Sequence, residues 1–263
     1  MNKARKIKKL INLNRKLVCL TAYSKSIGKI LDKYCDIILV GDSVATAFYG
    51  MKNTKEIKLD TMINHCVSVR KSVRKSLLVF DMPFNTYRNF AEANRNVRKV
   101  IKQTKCDAIK LESNGKNFNI LNKLVKSGIN VMGHIGYTPQ YKTTFSPQGF
   151  KLSQENKLLN EALNIEKAGA FAIVLECINA KLAKKITNSI KIPTIGIGSS
   201  NYCDGQILVV DDLIGLSGFY PKFVKKYINL NRIIEKAVKK YTTEVKIKKF
   251  PSKKNTLNGK RNR

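Results

Sequence analysis

Residues 108–136 read AIKLESNGKNFNILNKLVKSGINVMGHIG, and this stretch decides the fold. Two short apolar runs, at 108–112 and 129–136, flank a segment in which Phe118, Leu121 and Leu124 recur with the period of a helix. Gly128 follows that segment, where a glycine C-cap would end the helix. Continuous apolar runs of this length are typical of strands that are buried on both faces of a parallel sheet. The stretch therefore predicts a β-strand, a crossover helix and a second, parallel strand.

The same pattern recurs along the whole chain. Six further apolar runs lie at 17–23, 36–41, 77–83, 172–176, 193–198 and 206–215, and segments with helical period separate most of them. Strand and helix alternating about eight times predict an α/β fold, the (β/α)8 TIM barrel, for which 263 residues is an ordinary length. We expect a single barrel domain over residues 1–263, with a basic N-terminal segment at 1–16 and a basic C-terminal tail from about 246 to 263.

Three local features lead to more specific expectations. Between Gly198 and Gln206 there is no room for a crossover helix, which normally needs about a dozen residues. Either this crossover is reduced or the last two strands are misplaced. Ser153 is the expected N-cap of a helix that stops at Gly169. Tyr34 is expected on the apolar face of the first crossover helix.

Composition excludes several classes of protein. No stretch approaches the roughly 18 consecutive apolar residues that a membrane span needs. Met1 is followed by a basic stretch without the apolar core of a signal peptide, so we expect a cytoplasmic protein with no membrane partner. The six cysteines are scattered, with none in CxxC spacing, which favours buried, reduced thiols over a disulfide framework or a cysteine metal site.

The charge is strongly positive, with 50 Lys and Arg against 18 Asp and Glu, a formal net charge of +32. Residues 1–16 carry seven basic and no acidic side chains, and residues 246–263 carry eight and none. Such charge can bind nucleic acid. Lys, Asn and Ile are however all encoded by A/T-rich codons, so a biased genome would give this composition without any such partner. We therefore expect no specific nucleic-acid ligand.

Acidic residues are scarce, yet four of them lie at the carboxyl ends of apolar runs: Asp42, Asp81, Glu112 and Glu176. In a barrel these strand ends converge on the face where active sites are found. Lys110 precedes Glu112 by two residues and points to the same side of the strand. His134 lies in the run at 129–136.

Carboxylates brought together repel one another unless protons or a hard cation intervene, and Mg²⁺ is the natural cation for oxygen ligands. Any one of these acids can instead cap a helix or end a solvated loop, and Asp42 and Asp81 both precede loops. Their joint placement is the stronger signal. It predicts a metal-dependent barrel enzyme.

At these residues the chain resembles the ketopantoate hydroxymethyltransferase family. The matching strings, in the family's order, are LTAY at 20–23, ILVGDS at 38–43, DMPF at 81–84, IKLE at 109–112, VMGHIGYTPQ at 131–140, GAFAIVLEC at 169–177, IPTIGIG at 192–198, CDGQILV at 203–209 and PKFVKKY at 221–227. The resemblance implies a (β/α)8 barrel, a homo-oligomer that is typically a decamer, and Mg²⁺ as the cofactor. The implied metal ligands are Asp42, Asp81 and Glu112.

The resemblance also implies the reaction. A hydroxymethyl group passes from 5,10-methylenetetrahydrofolate to 3-methyl-2-oxobutanoate through a Mg-stabilised enolate, giving 2-dehydropantoate for pantothenate and coenzyme A synthesis. The residues implied to surround the oxo acid are Asp42, Ser43, Asp81 and Lys110. Glu176 is the implied general base, and we expect His134 to support the site rather than react. The segment from Tyr137 to Leu152 is a candidate lid.

The chain departs from the family pattern in loops, at 113–114, 149–155 and 199–200, and in its basic tail. These departures bear on folate affinity and subunit contacts more than on the metal site. One alternative is another Mg-dependent transferase or lyase of 2-oxo acids, of the phosphoenolpyruvate/pyruvate barrel group. The other is a nucleic-acid-binding protein built on a decayed barrel.

Overall fold

The computed structural model describes Ile7, Leu10 and residues 15–142, 144–218 and 220–257. The chain divides into two compact units, with the boundary between Val210 and Asp211. The first unit contains a closed barrel of eight parallel strands in sequence order. They are β1 (Leu17–Thr21), β2 (Ile37–Val40), β3 (Leu77–Asp81), β4 (Ala108–Glu112), β5 (Val131–Gly136), β6 (Ala172–Glu176), β7 (Thr194–Ile197) and β8 (Gly205–Leu208). The predicted barrel is therefore confirmed.

Helices connect most of the strands, as the alternating pattern predicts. The described helices are α1 (Lys25–Leu31), α2 (Val44–Ala47), α3 (Leu59–Arg70), α4 (Phe90–Thr104), α5 (Phe118–Lys126), α6 (Leu152–Lys167), α7 (Ala180–Ser189), α8 (Val210–Ile214) and α9 (Leu230–Lys246). Each strand contributes at least one buried apolar side chain to the core cluster, among them Leu17, Leu39, Val79, Ala108, Met132, Val174, Ile195 and Ile207. This packed interior supports the rim on which the polar residues lie.

The connection between β7 and β8 is short and contains no helix, so the reduced crossover is the correct interpretation. The run at 206–215 is wrong as a single strand, because β8 ends at Leu208 and Val210–Ile214 is helical. Asp211 and Asp212 lie in the first turn of that helix, where acidic side chains interact favourably with the helix dipole. Apolar periodicity alone does not separate so short a helix from a strand.

Two expectations about helix ends are also wrong. Ser153 lies inside α6, and the loop before the helix is held instead by Gln154, whose Oε1 accepts hydrogen bonds from the backbone N–H groups of Gly149 and Phe150. Tyr34 is 73% exposed, because α1 ends at Leu31 and the chain turns before the helical period reaches it. Gly169 does follow the end of α6, at φ +93°.

The six cysteines are all buried and free, as predicted. In the described part of the chain no helix is long and apolar enough to cross a membrane. The second unit contains helix α9, which has no buried residue. Most of the basic segment 1–16, and residues 258–263 of the basic tail, lie outside the described residues. The expectation of one domain over residues 1–263 stays a prediction.

Candidate active site

Every residue that the sequence singled out lines one cavity at the carboxyl ends of the strands, with a volume of about 100 Å³. These residues are Asp42, Ser43, Asp81, Lys110, Glu112, His134 and Glu176. Strand register explains the convergence, because Asp81 pairs with Lys110 across β3 and β4, and Glu112 with His134 across β4 and β5. The apolar side chains of Val174 and Ile197 line the same cavity.

Lys110 and Asp81 form a buried ion pair on neighbouring strands. The Lys110 Nζ donates to both carboxylate oxygens of Asp81 at 2.7 Å. Burial opposes the charge on Lys110, but the carboxylates of Asp81, Asp42 and Glu112 outweigh it and raise the pKa of Lys110 above its ordinary value. Burial also raises the pKa of Asp81, against the attraction of Lys110. Lys110 is thus a fixed cation among three buried carboxyl groups.

His134 lies between two acids. Its Nε2 is 3.2 Å from Glu176 Oε2, and its Nδ1 is 3.6 Å from Glu112 Oε1. Burial and Lys110 lower the pKa of His134, yet the two carboxylates outweigh them and bring it to about 9. The two flanking carboxylates thus favour the protonated imidazole. The expected supporting role of His134 stays a prediction.

Asp42 lies just beyond β2 and is held from two sides. Its backbone N–H donates to Asp81 Oδ2 at 3.4 Å, and its own Oδ2 accepts from Gln140 Nε2 at 2.8 Å. The neighbouring Ser43 shares a hydrogen bond of 2.8 Å with the hydroxyl of Tyr23. The position of the Ser43 hydroxyl at the cavity wall is thereby fixed.

Glu176 ends β6 and, with its side chain 19% exposed, is more open than Asp81 or Glu112. Its backbone is tightly constrained. The Glu176 carbonyl accepts from the Tyr137 N–H at 2.8 Å, and a Cβ on Gly136 would lie 2.1 Å from that carbonyl oxygen, so only glycine fits there. Cys177 follows in the left-handed region at φ +52°. The chain is therefore held closely on both sides of the Glu176 side chain.

The segment predicted as a lid lies against the cavity. Pro139 lines the cavity, and Gln140 is completely buried. Further along, Phe145 and Phe150 are exposed. Lys142 fastens the segment by donating from Nζ to the Gly136 carbonyl at 2.7 Å. Its position suits a cover for the cavity; its movement stays a prediction.

Sequence reasoning missed Gln140. It lies four residues beyond the end of β5, and a rule that inspects only strand ends does not reach it. The available signal was its place at the end of the VMGHIGYTPQ string.

The donor set suits a hard divalent cation. Asp42, Asp81 and Glu112 are all buried, and Glu112 Oε1 has no hydrogen-bond partner among the described residues. A buried polar atom without a partner costs free energy, and a cation at that atom would remove the cost. Within the described ranges no three acidic, histidine or cysteine side chains form a ready-made metal cage. Because Asp81 is already paired with Lys110, a cation would compete with Lys110 for this carboxylate.

Comparison with known proteins shows which family the chain resembles. The family model of ketopantoate hydroxymethyltransferase matches residues 2–253. The 3-methyl-2-oxobutanoate hydroxymethyltransferase of Pelagibacter ubique (strain HTCC1062) is 48% identical over 254 residues, covering 95% of this chain and 99% of that protein. The enzyme of the same name from Anaplasma marginale (strain Florida) is 45% identical over 239 residues, covering 90% of this chain and 86% of that protein.

Solved structures with the same fold are more distant in sequence. A phosphonopyruvate hydrolase in complex with oxalate and Mg²⁺ superposes with a TM-score of 0.64 at 13% identity, covering 97% of this chain and 93% of that chain. A 2,3-dimethylmalate lyase of the PEP mutase/isocitrate lyase superfamily gives 0.63 at 13% identity, covering 97% and 89%. These likenesses support the barrel alone. The family model and the close relatives go further: the chain belongs to the ketopantoate hydroxymethyltransferase family.

Proposed function

We propose that this chain transfers a hydroxymethyl group from 5,10-methylenetetrahydrofolate to 3-methyl-2-oxobutanoate, forming 2-dehydropantoate. The observation that carries the proposal is the shared cavity of Glu176 and Lys110. Glu176 on β6 is a carboxylate available as a base, and Lys110 on β4 is a fixed cation for a substrate anion. Removal of a proton next to a carbonyl group needs both a base and a positive charge near the oxygen.

Binding of the oxo acid follows from the cavity wall. Lys110 and the Ser43 hydroxyl supply donors to the carboxylate and 2-oxo oxygens, and Asp42 and Asp81 complete the polar side. The apolar Val174 and Ile197 suit the isopropyl group of the substrate. The ends of the substrate are thereby distinguished by polarity.

We assign the proton transfer to Glu176. His134 contacts Oε2 of this carboxylate at 3.2 Å, so the other oxygen, Oε1, is assigned to accept the proton from C3 of the oxo acid. Lys110 stabilises the negative charge that develops on the 2-oxo oxygen. The segment at 137–152 shields the carbon nucleophile from bulk water while it attacks the one-carbon unit. In the net reaction one water molecule is consumed. It supplies the hydroxyl oxygen of the product as both C–N bonds of the methylene group break, and its second proton and the proton taken by Glu176 pass to the two nitrogens of the departing tetrahydrofolate. His134 holds Glu176 in place and does not itself exchange a proton with substrate.

Asp42, Asp81 and Glu112 are the proposed Mg²⁺ ligands. When bound, the cation would supply Lewis-acid polarisation of the oxo acid. Support comes from the oxygen-only donor set and from Glu112 Oε1, which accepts no hydrogen bond from the described residues. We also propose a cytoplasmic homo-oligomer, and the six free buried thiols suit a reducing compartment.

The direct test is product formation from both substrates, with Mg²⁺ and again with EDTA. The proposal expects 2-dehydropantoate with the metal and none after chelation. Asp42→Asn and Asp81→Asn should each abolish the reaction. Product that forms equally well in EDTA would remove the metal from the proposal.

Two controls separate the alternative functions. Cleavage or transfer on phosphoenolpyruvate/pyruvate-type substrates, with no 2-dehydropantoate formed, would favour a lyase or transferase of that group. Nucleic-acid affinity that survives about 200 mM salt, together with no turnover, would favour a binding protein.

A further inference from the structure

Gln140 makes an unusual set of contacts for a loop residue. Its backbone N–H donates to Glu112 Oε2 at 3.0 Å, and its side-chain Nε2 donates to Asp42 Oδ2 at 2.8 Å. Nε2 also donates to the Met82 carbonyl at 3.0 Å. One fully buried residue thus holds one oxygen of each of two proposed metal ligands, which lie beyond β2 and at the end of β4.

The oxygen of the Gln140 side-chain amide also has a partner. The hydroxyl of Tyr87, which is also buried, donates to Gln140 Oε1. A reversed amide would place Oε1 against two groups that only accept, the Asp42 carboxylate and the Met82 carbonyl, and would lose both bonds. The Gln140 amide is therefore held with its donor group toward Asp42.

The choice of an amide matters electrostatically. A lysine at this position would neutralise Asp42 and Glu112 and so take the place of a cation. The Gln140 amide orients both carboxylates with neutral donors and leaves their negative charge in place. Glu112 Oε1 has no hydrogen-bond partner in the described structure, and its sister oxygen Oε2 is the one that Gln140 holds.

We propose that Gln140 is a positioning residue that orients Asp42 and Glu112 for a divalent cation and links their geometry to docking of the segment at 137–152. This inference rests on the metal site proposed above. Residues of this kind, which hold metal ligands without touching the metal, typically change metal affinity or activity about 10–100-fold when they are replaced.

Lys142 provides a matched control. It fastens the same segment through the Gly136 carbonyl and, in the part of the chain that the structure describes, makes no hydrogen bond to Asp42 or Glu112, although its charge interacts with Glu112. Lys142→Met therefore loosens the segment without removing a hydrogen bond from either carboxylate, and the loss of its positive charge favours cation binding rather than weakening it. Gln140→Met keeps the size and burial of the side chain, and keeps the backbone bond to Glu112, but removes the donor to Asp42.

The experiment measures Mn²⁺ affinity of the full-length protein by electron paramagnetic resonance of the free ion, without substrates, for wild type, Gln140→Met and Lys142→Met. We expect Gln140→Met to bind Mn²⁺ about 10–100-fold more weakly and Lys142→Met to bind it at least as tightly as wild type. In turnover assays the Mg²⁺ concentration for half activation should rise for Gln140→Met. At saturating Mg²⁺ its kcat should return close to wild type, because the side-chain bonds of Gln140 join Asp42, Met82 and Tyr87 rather than Glu176.

The outcomes separate the two proposals. Wild type that binds no Mn²⁺ would overturn the metal site and this inference together. If wild type and Gln140→Met bind Mn²⁺ equally tightly, only the role of Gln140 is overturned. The same holds if Lys142→Met weakens Mn²⁺ binding as much as Gln140→Met does. If Gln140→Met does not fold, Tyr87→Phe replaces it, and a smaller weakening in the same direction is expected. Unchanged Mn²⁺ affinity in folded Tyr87→Phe would then contradict the inference.

Discussion

The two ends of the barrel both carry partly or fully buried acids, but they use them differently. At the amino end each acid accepts hydrogen bonds from backbone N–H groups. Asp32 accepts from residues 74–76, Asp36 from Val18, Asp107 from Leu78, Asp204 from Thr194, and Glu166 from residues 191–192. At the carboxyl end, Asp42, Asp81 and Glu112 face one another around a lysine, and one of their oxygens accepts no hydrogen bond from the described residues.

This difference shows how one residue type serves stability and chemistry in the same fold. At the amino end the carboxylates satisfy the backbone where strands and loops begin, which stabilises the barrel. At the carboxyl end the crowded carboxylates oppose folding unless a cation, a proton or a ligand relieves them. Substitutions at the two ends should therefore separate activity from stability.

The largest effect is expected at Glu176. Glu176→Gln keeps the size of the side chain but cannot accept the C3 proton, so turnover should fall by about 10²–10⁴-fold. Binding of Mg²⁺ and of the oxo acid should persist, since neither depends on this carboxylate. Steady-state rates and calorimetric titration measure the two properties. Wild-type turnover would remove Glu176 from the role of base.

The next largest effect is expected at Lys110, where a substitution should reduce activity and stability together. Lys110→Met leaves Asp81 buried without its partner, and removal of one member of a buried ion pair costs about 3–5 kcal/mol. Urea unfolding in EDTA should show this loss, and added Mg²⁺ should recover part of it. Stability that matches wild type in EDTA would contradict the account of crowded charge at this end.

At the amino end, Asp32→Asn should change stability alone. Burial raises the pKa of Asp32, but the backbone N–H groups of Ser76, Arg74 and Lys75 outweigh it and hold that pKa below its ordinary value. The stabilisation is therefore complete above the ordinary carboxyl pKa of about 4 and is lost as the pH falls through the lower, folded-state value.

The expected loss for Asp32→Asn at pH 7 is about 1–2 kcal/mol, and turnover per folded molecule should stay at the wild-type value. Urea unfolding at a series of pH values from 7 downward measures it. The difference from wild type should shrink as the pH falls below about 4. A difference that grows in acid would contradict the sign of the pKa shift.

The smallest effect is expected at Ser199, in a loop that departs from the family pattern. Its Oγ donates to the Leu175 carbonyl at 2.7 Å and accepts from the Ile178 N–H at 3.1 Å, on either side of Glu176. Ser199→Ala should cost about 1 kcal/mol of stability, with a far smaller loss of turnover than Glu176→Gln. Thermal unfolding measures the loss of stability, and steady-state assays measure the loss of turnover. A loss of turnover as large as that of Glu176→Gln would show that the loop containing Ser199 takes part in catalysis.

Much of the fold and of the candidate site could be predicted because barrel topology turns sequence position into spatial position. Asp81 and Glu112 end their strands, Asp42 follows one closely, and the parallel register then brings them together. Gln140 could not be found this way, since its place depends on how a long loop packs. The amino-end acids Asp36 and Asp107 also adjoin apolar runs, but they lie at the start of those runs. Active-site residues of a barrel are expected only at the carboxyl ends of its strands.

The central claim is that Glu176 takes the C3 proton in the cavity that Lys110 shares. Proton exchange at C3 of 3-methyl-2-oxobutanoate in D2O, followed by NMR without folate, tests it directly. The account predicts Mg²⁺-dependent exchange with wild type and none above background with Glu176→Gln, although that variant still binds the oxo acid. Exchange at the wild-type rate in Glu176→Gln would contradict the claim.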